Sequence, residues 1–383
     1  MKKGTRLLHT GVEVDPFTGA ASVPIYQTST FHQESIDRPG AYDYSRSGNP
    51  TRQALEDAMS VLEEGSDGFA FSSGMAAISS VLSLFKTGDR ILVGRDIYGG
   101  TFRAVTKLFV RFGIETVFVD TTDLQEVEKQ IDANTKAIYL ETPANPLMQV
   151  SDIEATACLS EKYGLITIVD NTFLTPYFQK PLELGADIVV HSATKYLGGH
   201  SDVLAGIAVV KGEELAAELK FVQNAFGAVL SPQDSWLVMR GIKTLKVRLE
   251  QHQKSALEIA KWLKRRPEIK EVYYVGLEDH PQYQLSCRQT TGFGGILSFR
   301  LQTTEAAKNF LQHLKLPLLG VSLGAVESII TYPCCMSHAA IPNEKRNELG
   351  ITEDLLRLSV GLEETEDLIQ DLKQALDKCG EKI

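Results

Sequence analysis

Apolar residues recur along this chain in two patterns. Seven short runs stand out, at residues 68–71, 90–93, 115–119, 137–140, 165–169, 187–190 and 206–210. Several are unbroken Ile/Val/Leu stretches without polar alternation, as in strands covered on both faces of a sheet. Between them lie helical patterns. Residues 51–64 put Leu55, Ala58, Met59 and Leu62 on one face, and 75–85 and 153–163 also read as helices. This strand–helix alternation predicts an α/β domain built on a mostly parallel seven-stranded sheet.

From Ser231-Pro232 a long helical region runs through Trp236, Leu245, Leu249, Ala256, Ala260 and Leu263, and Pro267 ends it. Strands at 272–275 and 295–300 and helices at 305–314 and 364–376 follow, which predicts a smaller α+β domain. Residues 1 to about 50 show neither period and carry turn formers such as Asp15-Pro16, Pro39-Gly40 and Gly48-Asn49-Pro50, with Phe31, Tyr42 and Tyr44 among them. An irregular arm of that length is unusual inside one compact subunit, so it is expected to embrace a second one. The predicted organisation is an arm over 1–50, a large domain over 51–235 and a small domain over 236–383.

The chain has 383 residues, consistent with about two domains. Its 39 Lys+Arg against 49 Asp+Glu give a net charge of −10. Without a basic block it is a poor nucleic-acid binder, since phosphate neutralisation needs clustered positive charge. No apolar run is long enough to span a membrane, and Met1-Lys2-Lys3-Gly4-Thr5-Arg6-Leu7-Leu8-His9 has no secretory apolar core. Five scattered cysteines, Cys158, Cys287, Cys334, Cys335 and Cys379, suggest neither a disulfide framework nor a zinc site. Cys334-Cys335 reads as two buried thiols, and His200 and His338 as loop or core histidines. No metal is expected, and a cytoplasmic location is.

Ligands of open α/β sheets sit beyond the carboxyl ends of the strands. After the first run comes Ser72-Ser73-Gly74-Met75-Ala76-Ala77, small residues opening a helix, which suits either a phosphate seat or a plain turn. After the second comes Tyr98-Gly99-Gly100-Thr101, an aromatic on a flexible turn. The fifth ends in Asp170 and the sixth leads into Ser192-Ala193-Thr194-Lys195. A carboxylate and an amine placed beyond buried strands are costly unless paired or used. Together these residues match the needs of pyridoxal phosphate: a seat for its phosphate, an aromatic to stack on, a carboxylate for the ring nitrogen and a lysine for the aldehyde. A dinucleotide site would need Gly-x-Gly-x-x-Gly, which Gly68-Phe69-Ala70-Phe71-Ser72-Ser73-Gly74 does not supply.

At these residues the chain resembles the transsulfuration, or Cys/Met-metabolism, family of fold-type I pyridoxal-phosphate-dependent enzymes. The resemblance spans essentially the whole chain. It is carried by Tyr44-Ser45-Arg46-Ser47-Gly48-Asn49-Pro50-Thr51, Phe71-Ser72-Ser73-Gly74-Met75, Tyr98-Gly99-Gly100-Thr101, Glu141-Thr142-Pro143-Ala144-Asn145-Pro146, Val169-Asp170-Asn171-Thr172, Ser192-Ala193-Thr194-Lys195-Tyr196 and Arg357-Leu358-Ser359-Val360-Gly361. It implies an aspartate-aminotransferase-like fold with pyridoxal 5'-phosphate bound covalently to Lys195. Asp170 would hold the ring nitrogen protonated, and Tyr98 would stack on the ring and share in catalysis. Gly74, Met75, Ser192 and Thr194 would hold the phosphate, Tyr44 and Arg46 from a neighbouring subunit would complete that site, and Thr172 would be a further cofactor-binding residue. Arg357, helped by Asn145 and Ser322, would bind the substrate α-carboxylate, and Arg103 the far end of a long diacid. The implied assembly is a homotetramer, a dimer of dimers.

The resemblance also implies a carbon–sulfur lyase acting on sulfur amino acids. The stretches Ser29-Thr30-Phe31-His32-Gln33 and Ser322-Leu323-Gly324-Ala325-Val326-Glu327-Ser328 look closest to cystathionine β-lyases of Gram-positive bacteria. Leu323, which γ-lyases and γ-synthases also carry, leaves cystathionine γ-elimination and γ-replacement open. Gly100 stands where methionine γ-lyases carry cysteine, which makes that activity the least favoured.

Overall fold

The computed structural model describes residues 1–11 and 14–379, so the last four residues of the expected 236–383 domain lie outside it. The seven apolar runs form one sheet: β1 (Asp67–Phe71), β2 (Arg90–Gly94), β3 (Glu115–Val119), β4 (Thr135–Glu141), β5 (Ile166–Asp170), β6 (Ile188–Ser192) and β7 (Gly206–Val210). Their spatial order is β1-β7-β6-β5-β4-β2-β3. Pairings β6–β5–β4–β2–β3 are parallel, and β7 runs antiparallel to both β1 and β6. Successive residues point to opposite faces, and both faces are apolar. Leu92, Ile138, Leu140, Val169, Val189 and Ile207 enter one core cluster. Ile91, Val93, Ala137, Tyr139, Ile168 and Val190 enter another. The unbroken apolar runs follow from this double coverage.

A second, five-stranded sheet follows in the chain: β8 (Ile269–Tyr273), β9 (Ile296–Leu301), β10 (Leu318–Leu319), β11 (Ile329–Thr331) and β12 (Leu355–Ser359), ordered β10-β11-β12-β9-β8. Helices Leu245–Leu263, Thr304–His313 and Thr365–Asp377 supply the apolar residues that cover it, including Ile259, Phe310 and Leu372. Register sets the placement that matters for the site: Arg357 of β12 pairs with Thr331 of β11 and Ser298 of β9, in the middle of this sheet.

Three differences from the sequence reading have physical causes. The first fifty residues include a helix, Lys3–His9, whose single buried anchor is Leu7. One anchor leaves no readable period, and so short a helix depends on the helices Pro232–Lys243 and Leu245–Leu263 that it packs against. The long helical region is two helices that meet at Thr244, where the backbone (φ −102°, ψ 2°) leaves helical geometry. The predicted 272–275 strand is shifted to Ile269–Tyr273, where its burial does not alternate cleanly.

Candidate active site

The carboxyl ends of β2, β4, β5 and β6 open onto a cavity of about 520 Å³. Its walls include Gly74, Met75, Tyr98, Arg103, Asn145, Asp170, Thr172, Ser192, Thr194, Lys195, Ser322 and Arg357. Twelve of the fourteen residues singled out in the sequence therefore meet in one place. Tyr44 and Arg46 do not line it. Arg46 Nη1 instead donates to the carbonyl and side-chain oxygens of Asn224 at 2.7 and 3.0 Å, and its guanidinium lies 5.6 Å from the Tyr44 ring.

One wall is the first turn of the helix Gly74–Leu82. Ser73 caps it by accepting from Ala76 N at 3.1 Å. The N–H groups of that turn have no partner within the helix and carry the positive end of its dipole. The helix start lies so close to β6 that a Cβ on residue 74 would come within 2.8 Å of Ser192 Cβ, which only glycine avoids. On the floor, Asp170 is 7 % exposed. Its Oδ1 accepts from Thr172 N at 3.0 Å and Thr172 Oγ1 at 2.5 Å, while Oδ2 has only a long 3.4 Å contact from Tyr139. Burial pushes the Asp170 pKa up, and the Thr172 bonds oppose the shift. Thr172 Oγ1 also accepts from Ser192 N at 2.9 Å, which ties the floor to the next strand.

The opposite wall holds two cations. Lys195 Nζ donates to Ser322 Oγ at 2.7 Å, and Arg357 Nη2 donates to Ser322 O at 2.7 Å and Thr331 Oγ1 at 2.9 Å. Arg357 Nη1 donates to Asn145 Oδ1 at 3.0 Å, and its buried Nε has no partner. Neither cation has an acidic partner within ion-pair distance among the described residues. Burial, then repulsion from Arg357, lowers the Lys195 pKa to about 8, and burial lowers that of Arg357 to about 10. Ser322, between them, holds φ +105°, a conformation that costs a non-glycine residue about 1–3 kcal/mol and persists only where its surroundings impose it.

Tyr98 is 42 % exposed on the turn before the helix Gly99–Arg103, and Arg103 is exposed at the rim. His338 is buried and bonds through Nε2 to Asn145 O at 3.1 Å, so it supports the Asn145 turn. His200 caps Gly198 O at 2.7 Å. Of the two thiols expected to be buried, Cys334 is and Cys335 is exposed, although their sulfurs lie 3.6 Å apart on the three-residue helix Pro333–Cys335. Glu141, Pro143, Phe173, Leu323, Met336 and Ser337 also line the cavity without having been assigned. Glu141 had a readable signal, a carboxylate ending an apolar strand as Asp170 does.

These residues fit pyridoxal phosphate on structural grounds. A lysine amine without an acidic partner, a buried carboxylate with one weakly bonded oxygen, a helix start that excludes a Cβ and an orphaned Arg357 Nε share one cavity. The class defined by fold and site is therefore a fold-type I pyridoxal-phosphate enzyme. Comparison with known proteins makes this specific: residues 4–377 match the model of the Cys/Met metabolism PLP-dependent enzymes, and the chain belongs to that family. It is 56% identical over 376 residues to cystathionine beta-lyase MetC of Bacillus subtilis, covering 98% of this chain and 96% of that one. It is 54% identical to the cystathionine gamma-lyase of the same organism, covering 98% and 100%. The crystal structure of cystathionine gamma-lyase from Lactobacillus plantarum with L-serine superposes with TM-score 0.97 at 49% identity, covering 98% and 99%. No described helix is long and apolar enough to cross a membrane, and no described cluster of three or more side chains could hold a metal ion.

Proposed function

We propose that this protein is a carbon–sulfur lyase that cleaves L-cystathionine by β-elimination, giving homocysteine, pyruvate and ammonia. One observation carries the reading: Lys195 and Arg357 are bridged by Ser322, through its Oγ on one side and its carbonyl on the other, each at 2.7 Å. A base and a carboxylate fork separated by one residue match an α-amino acid held by its carboxylate with Cα beside the amine. Support for β-cleavage comes from the 56% identical relative named a β-lyase. At Gly100 a Cβ would come within 2.3 Å of the Tyr98 ring, so the cysteine of methionine γ-lyases would displace that ring.

Pyridoxal phosphate, when bound, supplies an aldehyde that condenses with amines and a ring that accepts the electron pair left by a departing α-proton. Lys195 would hold it covalently, Asp170 would pair with its ring nitrogen, and Tyr98 would cover one face. Gly74, Met75, Ser192 and Thr194 would hold the phosphate end, and Thr172 would steady Asp170 beneath the ring. Arg357, oriented by Asn145 and Ser322, grips the substrate carboxylate. Lys195, set free as an amine once the substrate amine takes its place on the cofactor, and disfavoured as a cation by burial, would take the proton from Cα. Lys195 or Tyr98 then supplies a proton to the leaving sulfur. Arg103 at the rim suits the distal end of a long diacid.

The same reading includes a homotetramer in the cytoplasm, the 1–50, 51–235 and 236–383 division, and Tyr44 and Arg46 completing a neighbour's phosphate site. It is supported by their position outside this chain's own cavity and by the exposed Leu204 and Val321 on the cavity wall. The test is product identity. Incubation with L-cystathionine should release pyruvate and homocysteine in equal amounts. Release of 2-oxobutyrate and cysteine would instead make it a γ-lyase, and condensation of cysteine with an O-acylated homoserine, without lysis, a γ-synthase.

A further inference from the structure

Two turns carry the residues that would face ring and substrate: the turn at Tyr98 and the turn at Asn145. Glu141, the last residue of β4, lies between them. It is 7 % exposed, lines the cavity and stands in register beside Asp170 of β5. Glu141 Oε2 accepts from Tyr98 N at 2.8 Å, and Oε1 accepts from Asn145 N at 3.2 Å. Asn145 Oδ1 in turn accepts from Arg357 Nη1 at 3.0 Å. A continuous line of hydrogen bonds therefore runs from the stacking tyrosine through one carboxylate to the carboxylate-binding arginine.

We propose that Glu141 is a positioning residue that sets the Tyr98 turn and the Asn145–Arg357 fork against each other, so that ring contact and substrate carboxylate binding are aligned by a single buried side chain. The proposal rests on the roles read above for Tyr98 and Asn145. The residue type follows from the geometry, because two N–H donors converge on one side chain and each needs an acceptor. A carboxylate offers two equivalent acceptors, whereas an amide of the same shape offers one and turns an N–H₂ group toward the other donor. An aspartate keeps both acceptors but is one methylene too short to reach both turns. Burial, then Asp170, pushes the Glu141 pKa well up, and the two N–H bonds oppose that shift. Tyr98 and Asn145 are 47 residues apart in sequence (145 − 98), so the motif Glu141-Thr142-Pro143-Ala144-Asn145-Pro146 alone does not reveal the link.

The test compares wild type, Glu141→Gln, Asn145→Ala and the double variant as holoenzymes. It reads KM and kcat with L-cystathionine, the Kd of the stripped protein for pyridoxal phosphate, and the circular dichroism of the bound cofactor. Glu141→Gln should raise KM about tenfold and weaken cofactor binding several-fold, as expected when one buried donor loses its acceptor, and should alter the cofactor's dichroic band. In the Asn145→Ala background the same change should raise KM less than about threefold, because the two act through one path. A folded Glu141→Gln with unchanged KM, cofactor Kd and dichroic band would overturn the proposal, as would its full KM effect persisting without the Asn145 side chain. If Glu141→Gln does not fold, Glu141→Asp takes its place, and wild-type values in that variant would count equally against the proposal. Should the wild type bind cofactor yet leave cystathionine intact, the functional reading fails, while cofactor Kd and dichroism still decide the role of Glu141.

Discussion

Half-buried Lys195 and buried Arg357 face one cavity without acidic partners, and perturbed cations in a cleft mark candidate functional sites. Lys195 titrates near 10.5 when unfolded and near 8 in the folded cofactor-free chain. Between those values the unfolded state binds more protons, so stability rises with pH across that window. Its cost is fully present below about 8 and gone above about 10.5. Lys195→Met should therefore stabilise the cofactor-free protein by about 3 kcal/mol at neutral pH, with the gain fading toward pH 10.5. Urea unfolding of both proteins at pH 7 and pH 10 measures this, and an equal gain at both would contradict it. Lys195 and Asp170 were legible in the sequence only jointly: each alone has an ordinary explanation, as a loop lysine or a helix cap, but with the Gly74 helix start and Tyr98 they match the needs of one cofactor. Glu141 ends β4 in the same way, yet it opens a proline-rich turn, and its partner Tyr98 lies far away in the chain.

Among the elements, those covered on both faces were the most legible. All seven strands of the first sheet are visible as apolar runs, because most of their residues meet a core on one face or the other, while Asp67, Glu115 and Lys136 at the strand starts are exposed. Three strands of the second sheet were not. Leu318–Leu319 and Ile329–Thr331 are too short to show a period, and both leucines of the former are exposed. Leu355–Ser359 is wholly buried, but Arg357 interrupts its apolar run. Arg357 sits mid-strand, so a sheet fixes its backbone, while Thr331 of β11 and the loop residues Asn145 and Ser322 hold its guanidinium. The wall from Met336 to Ala340 was also illegible. It acts through packing, with Ser337 O placed where a Cβ on Gly99 would come within 2.3 Å.

For the molecule as a whole, the net charge of −10 misleads about the ligand, since the cavity presents its own cations to anionic groups. Tyr44 and Arg46 had a signal in their motif but no place in this chain's cavity, as residues acting on another subunit would. If they do, two inactive variants can complement each other. A hybrid of Arg46→Ala and Lys195→Ala subunits contains one site with both residues intact. Mixing the two under exchange conditions should give more cystathionine cleavage than either parent, whereas no gain despite verified exchange would place Arg46 in its own subunit's site.

The central claim is that Lys195 anchors pyridoxal phosphate in this cavity. Borohydride reduction of the holoenzyme, followed by digestion and mass spectrometry, tests it most directly. The account predicts a pyridoxyl group on Lys195 that is absent from Lys195→Ala. A stoichiometric adduct on another lysine, or one that survives in Lys195→Ala, would contradict it.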